Sequence, residues 1–82
     1  MLSIALKKQF KNLASVVRVS RELGKPLDIS YDGEADVLYL SFGKPKSAVD
    51  SDYINENIIV REDRNGNPIG YTVLNASKVL SK

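Results

Sequence analysis

Apolar residues recur along this chain with two different periods, and the change between them falls at Pro26. Before it, Leu2, Leu6, Phe10, Leu13 and Val17 fall within one stripe roughly 80° wide when residues advance by about 100° each. That spacing predicts an amphipathic helix from about residue 3 to 23. Gly24 is placed to end it with positive φ, and Pro26 forbids its continuation. A second apolar set, Val16, Val19 and Leu23 with Ala5, lies about 100° further round the same helix. The main stripe is expected to pack on a sheet, and the second to meet either the wrapped helix end or another subunit.

After Pro26 the period becomes two. Leu27 to Tyr31 and Val37 to Phe42 read as strands joined through a turn at Asp32-Gly33, with Gly33 expected at positive φ. In the second of these, Leu38, Leu40 and Phe42 share one face, and Val37, Tyr39 and Ser41 the other. Residues 44–56 form a polar connection, with a short edge piece expected near Ala48 and Val49. Ile58 to Glu62 and Ile69 to Leu74 are two further strands. Asn65-Gly66 between them is a strong signal for a hairpin closed by a type I′ turn, which needs positive φ at both central residues. Such a turn sets Val60 opposite Tyr71 and Ile58 opposite Val73. Asn75-Ala76-Ser77 then opens a short C-terminal helical turn, with Asn75 or Ser77 as its cap.

The expected fold is therefore α+β: a long N-terminal helix packed on a small, about four-stranded antiparallel β-meander, with a short C-terminal helical turn. Residues 1–26 form the basic amphipathic helix and residues 27–82 the sheet, together one compact domain. One helix covers only one face of such a sheet. The apolar positions exceed what one small core needs, and Val16, Val19, Leu23, Tyr39, Tyr71 and Val73 are the candidate interface residues.

Size sharpens that expectation. The chain has 82 residues and no cysteine or histidine, so neither a disulfide nor a histidine-containing zinc site can reinforce it. What remains is good idealised packing or burial against a second copy, and a homo-oligomer is expected. The lack of cysteine fits a reducing compartment. The longest apolar runs are three or four residues, far from the roughly 20 that span a bilayer, so a cytoplasmic protein without a membrane span is expected.

The overall charge of +2 hides an asymmetry. Residues 1–26 carry six basic residues against one acid, and residues 27–82 six against nine. Lys7, Lys11 and Arg18 line up opposite the main apolar stripe. They are the candidate residues for binding an anion or an acidic partner, although charged helix faces are ordinarily just solvated. No aromatic residues are interleaved with them for base stacking.

Two motifs carry a resemblance. Tyr31-Asp32-x-Glu34-Ala35-Asp36-Val37-Leu38-Tyr39-Leu40-x-Phe42, followed by Ile69-Gly70-x-x-Val73-Leu74-Asn75-Ala76-Ser77, resembles the bacterial and archaeal family known as domain of unknown function 2283. The likeness covers roughly residues 29–78. The basic segment 1–26 lies outside it, and Tyr71 stands where a polar residue such as Glu is expected. The resemblance implies a compact, β-rich cytosolic domain and brings no catalytic residues. The occurrence of such members beside small toxin-like proteins hints at an antitoxin role.

Asp32, Glu34 and Asp36 place three carboxylates within five residues, a donor set suited to a hard cation. The simpler reading is a turn, with Asp32 bonding backbone amides. Without histidine or cysteine, no Ser-His-Asp or Cys-His arrangement exists, and a small sheet offers little room for a cleft between paired carboxylates. No enzymatic activity, cofactor or metal is expected. The sequence points to a non-enzymatic protein-interaction module, homodimeric, with a small protein as further partner. The alternative is a nucleic-acid-binding or antitoxin-like regulator that uses the basic helix.

Overall fold

The computed structural model describes residues 12–44, 48 and 50–81. Its elements follow the order α1 (Leu13–Leu23), β1 (Leu27–Asp32), β2 (Val37–Phe42), β3 (Asp50–Asn55), β4 (Ile58–Glu62), β5 (Pro68–Leu74) and α2 (Ala76–Val79). The strands form one antiparallel sheet in the order β1-β2-β5-β4-β3. The α+β class agrees with the sequence. The sheet has five strands instead of about four, and it is not a meander. After β2 the chain crosses to the far edge, runs back through β3 and β4, and inserts β5 at the centre.

The helix begins later than its periodicity suggests. Asn12 has extended backbone (φ −165°) and caps α1: its side-chain oxygen accepts the Ser15 N–H at 3.1 Å, and its own N–H donates to Ser15 Oγ at 3.3 Å. The expected helix over residues 3 to 23 therefore does not run through Asn12, and its residues 3–11 lie outside the described residues. Leu2, Leu6 and Phe10 lie outside the described residues. Gly24 ends α1 in the left-handed region (φ 67°), its N–H donating to Arg21 O and that of Lys25 to Ser20 O, both at 3.2 Å.

That late start decides which helix face turns inward. Within residues 13–23 the expected core stripe keeps only Leu13 and Val17, which are 41% and 55% exposed. The other set, Val16, Val19 and Leu23, packs against the sheet, with Val16 and Val19 fully buried. The two faces are therefore exchanged relative to the sequence expectation. From the strands come Leu38, Leu40 and Phe42 of β2, Ile58 and Val60 of β4, and Tyr71 and Val73 of β5. The register sets Val60 opposite Tyr71 and Ile58 opposite Val73, as the hairpin argument requires. Phe42 meets Tyr71 edge-to-face with ring centroids 5.9 Å apart. Val16, Val19, Tyr71 and Val73, read from sequence as interface residues, are core residues of this fold.

Two turns differ from expectation. At the β4–β5 hairpin only Gly66 has positive φ (80°), and its N–H donates to Asp63 O at 3.0 Å. The Asp63 carboxylate takes the Asn65 and Asn67 N–H groups at 2.8 and 3.0 Å, so this is a wider loop and not a two-residue type I′ turn. At the β1–β2 turn the positive φ falls on Asp36 (57°) and not on Gly33.

Candidate interaction surface

The sheet face opposite α1 is laid out by the strand register. One row across it holds Ser30, Tyr39, Thr72, Ile59 and Tyr53; the next holds Asp28, Ser41, Gly70, Arg61 and Ser51. Tyr39 and Tyr53 are 40% and 62% exposed. No element among the described residues covers this face. Arg61 lies across it. Its Nη2 donates to Leu40 O at 3.0 Å and to Ser41 Oγ at 3.1 Å, two strands away, and it passes directly over Gly70. A Cβ at residue 70 would overlap both the guanidinium and the Leu40 carbonyl, so glycine is required for this crossing.

The guanidinium is poorly compensated. Its Nε is buried and meets no acceptor among the described residues. Burial pulls the Arg61 pKa down and the neighbouring Tyr39 opposes that shift; no carboxylate of the described residues contributes. It stays charged, because a guanidinium titrates far above neutrality. A half-buried cation that has only neutral partners, on an open face between two tyrosines, is suited to receive an anionic group from outside.

At one end of the sheet the two motif stretches meet. Asp36 O accepts the Ala76 N–H at 3.0 Å. Its carboxylate accepts the Ser77 N–H at 3.0 Å, the Ser77 hydroxyl at 2.7 Å and the Tyr31 hydroxyl at 2.7 Å. Asn75 also sits in the left-handed region (φ 54°), where it makes no side-chain cap of its own, and its Nδ2 donates to Asn57 Oδ1 at 3.1 Å. The cap of α2 thus comes from Asp36, not from Asn75 or Ser77. Ala76 is small enough to be buried beneath it.

Hydrogen bonds from the Ser77 hydroxyl first, then from Tyr31 and the Ser77 amide, hold the Asp36 carboxyl below the usual range. Hydrogen bonding to Asp36 raises Tyr31 in turn. A carboxylate with a depressed folded pKa stabilises above its unfolded value, about 3.9, and that contribution is lost as pH falls through the lower folded value. Asp36→Asn is therefore expected to melt earlier than wild type at neutral pH. The gap should narrow below about pH 4. Thermal melts of both proteins across that range check it, and a gap independent of pH would mean that the Asp36 charge adds nothing to its bonds with Ser77 and Tyr31.

These contacts explain why the two motifs occur together. Residues 28–77, more than half the chain, match the family model described as protein of unknown function DUF2283. The chain belongs to this family. Comparisons with curated proteins and with solved structures found no match.

Within the DUF2283 framework the acidic trio separates. Asp32 accepts the Glu34 and Ala35 N–H groups at 3.1 and 3.3 Å, Glu34 is exposed, and Asp36 faces Ser77. Among the described residues no three metal-ligating side chains converge. Tyr71, where a polar residue was expected, is buried in the core, and burial pushes its phenol up to about 12. Of the candidate interface residues, Tyr39 alone is on the open face, and Leu23 is half-buried against the core. Arg18 is exposed on α1, while Lys7 and Lys11 lie outside the described residues. No helix among the described residues is long and apolar enough to cross a membrane.

Arg61 and Gly70 were missed from sequence, although a signal existed. A glycine inside an alternating strand marks a close approach. The hairpin register that pairs Val60 with Tyr71 also pairs Arg61 with Gly70.

Proposed function

We propose that this DUF2283 protein is a non-enzymatic protein-interaction module that works as a homodimer and uses the open sheet face as its contact surface. The observation that supports this is the Tyr39–Thr72–Ile59–Tyr53 row, which no element among the described residues covers. Tyrosine brings large, rigid, amphipathic area to such contacts. A chain of 82 residues without cysteine gains the stability it lacks by burying that face. The basic N-terminal segment, with Arg18 exposed on α1, steers an acidic protein towards the assembled module.

Sedimentation equilibrium from low micromolar to submillimolar protein tests the reading. Wild type should pass from monomer to dimer over that range. Tyr39→Asp, at a position exposed in the monomer, should keep the circular dichroism of the fold and weaken association by about 2 kcal/mol, roughly thirtyfold. A wild type that stays monomeric throughout would sink the homodimer. Dimerisation unaffected by Tyr39→Asp would move the contact off this face.

A further inference from the structure

We infer that Arg61 is the anchor of a self-complementary contact, in which the guanidinium of each copy receives the Asp28 carboxylate of a second copy. The inference rests on the reading that the open face joins two copies, and it names the axis and the residues. On the strand positions of this face Arg61 is the one cation, and Asp28 and Asp32 of the edge strand β1 are the carboxylates. Cation and acid therefore lie on different strands of one surface, the layout that a two-fold axis turns into two equivalent pairs.

One two-fold axis compatible with the register does so. Consider a two-fold running along β2, midway between two sheets stacked about 10 Å apart. It leaves each row facing its own row and lays β1 of one copy over β5 of the other, with β4 and β3, and so Ile59 and Tyr53, beyond the overlap. Asp28 shares its row with Ser41 and Gly70, so it comes to stand over Gly70. That is where the guanidinium lies, because Gly70 has no side chain to displace it. The same rotation sets Tyr39 against Tyr39 on the axis, and Ser30 of one copy against Thr72 of the other.

The arrangement also accounts for the bare Arg61. In the single chain its Nη2 holds only a carbonyl and a hydroxyl, both neutral. Flattened over Gly70, the guanidinium is close to a carboxylate descending from a facing sheet, and the bond between two charged groups is stronger than those it makes to neutral partners. Asp28 is exposed at the sheet edge, its side chain makes no hydrogen bond among the described residues, and it can be changed without touching the core.

A double-mutant cycle on dimer affinity tests this, using the full chain in sedimentation equilibrium. Asp28→Asn should weaken wild-type dimerisation roughly tenfold or more, in line with close charge pairs at interfaces. In an Arg61→Gln background the same change should have no further effect. Circular dichroism confirms that each variant is folded, and if Arg61→Gln does not fold, Asp28→Lys replaces that arm with an expected loss larger than that of Asp28→Asn. Wild-type affinity in Asp28→Asn, or an equal loss in both Arg61 backgrounds, would overturn the pairing while leaving a dimer through this face. Asp28→Lys no weaker than Asp28→Asn would overturn it likewise. A wild type that never dimerises overturns the underlying reading and this inference together.

Discussion

Tyr71→Ala is expected to remove about 3–5 kcal/mol of folding stability. Tyr71 is fully buried at the centre of β5, between Leu40 on β2 and Val60 on β4, with Phe42 edge-on to its ring. Truncating a large aromatic in a packed core costs about 3–5 kcal/mol, because transfer and cavity terms add. A domain of 82 residues has about 4–12 kcal/mol in total at 0.05–0.15 kcal/mol per residue. The loss thus takes between a quarter and all of the available stability. Tyr71→Phe keeps the ring and its contact with Phe42, so it should cost far less. Urea unfolding midpoints of the three proteins make the comparison, and an alanine variant within 1 kcal/mol of wild type, far below the usual cost of such a truncation, would mean the core is not organised around this ring.

The phenol of the same residue gives that result an alkaline counterpart. Burial raises it to about 12, above an unfolded value near 10. Between those values the unfolded chain has lost the proton and the folded chain keeps it, so stability falls as pH rises through that window. Tyr71→Phe should be less sensitive to alkali than wild type over the same range.

The second large effect concerns a single hydrogen. Gly70→Ala places a methyl where the Arg61 guanidinium and the Leu40 carbonyl already are. The arginine is flexible and can leave, which abandons its bonds to Leu40 O and Ser41 Oγ. The carbonyl is backbone of a central strand and cannot move without opening the β2–β5 pairing. Overpacking of this sort costs about 1–3 kcal/mol, and here the distortion lies at the middle of the sheet. In an Arg61→Ala background Gly70→Ala should therefore still destabilise, though less. Equal melting temperatures for Arg61→Ala with and without the glycine change would show that the arginine alone needs the glycine.

Much of this fold could be read from the chain because its information is local. Four strands follow from alternation with period two, and the Val60–Tyr71 and Ile58–Val73 pairs follow from one hairpin. What was illegible depends on residues far apart. β3 (Asp50–Asn55) pairs Asp50, Ser51 and Asp52 with a single Tyr-Ile step, so it has no apolar alternation; its acids suit an edge strand that must not recruit another chain. The insertion of β5 between β2 and β4 is a non-local choice that no turn signal announces. Helix faces were exchanged because the wheel assumed one helix, and a capping asparagine at residue 12 resets which apolar set dominates. The C-terminal cap was sought next to α2, whereas it comes from Asp36, 41 positions away from Ser77.

The candidate surface was legible in kind more than in detail. Most of the apolar positions read as an excess over one small core belong to that core, and of the candidate interface residues Tyr39 lies on the face that no described element covers. Parity along each strand assigns residues to two faces without saying which is inward. Tyr71 and Val73 were therefore placed on the wrong side until the packing of Val16 and Val19 fixed the inner face. Arg61 escaped notice because a lone arginine in a strand ordinarily means a solvated position. Its importance comes from Gly70 beside it and from the neutral groups it reaches.

The most direct test of a homodimer through the open face is an isotope-filtered nuclear Overhauser experiment on an equimolar mixture of labelled and unlabelled chains at submillimolar concentration. The ring of Tyr39 should show contacts to a second copy, with its own equivalent and with residues of β1 and β5 on the same face. Intermolecular contacts confined to the exposed helix residues Leu13 and Val17, or none at a concentration where the mass is dimeric, would contradict the account.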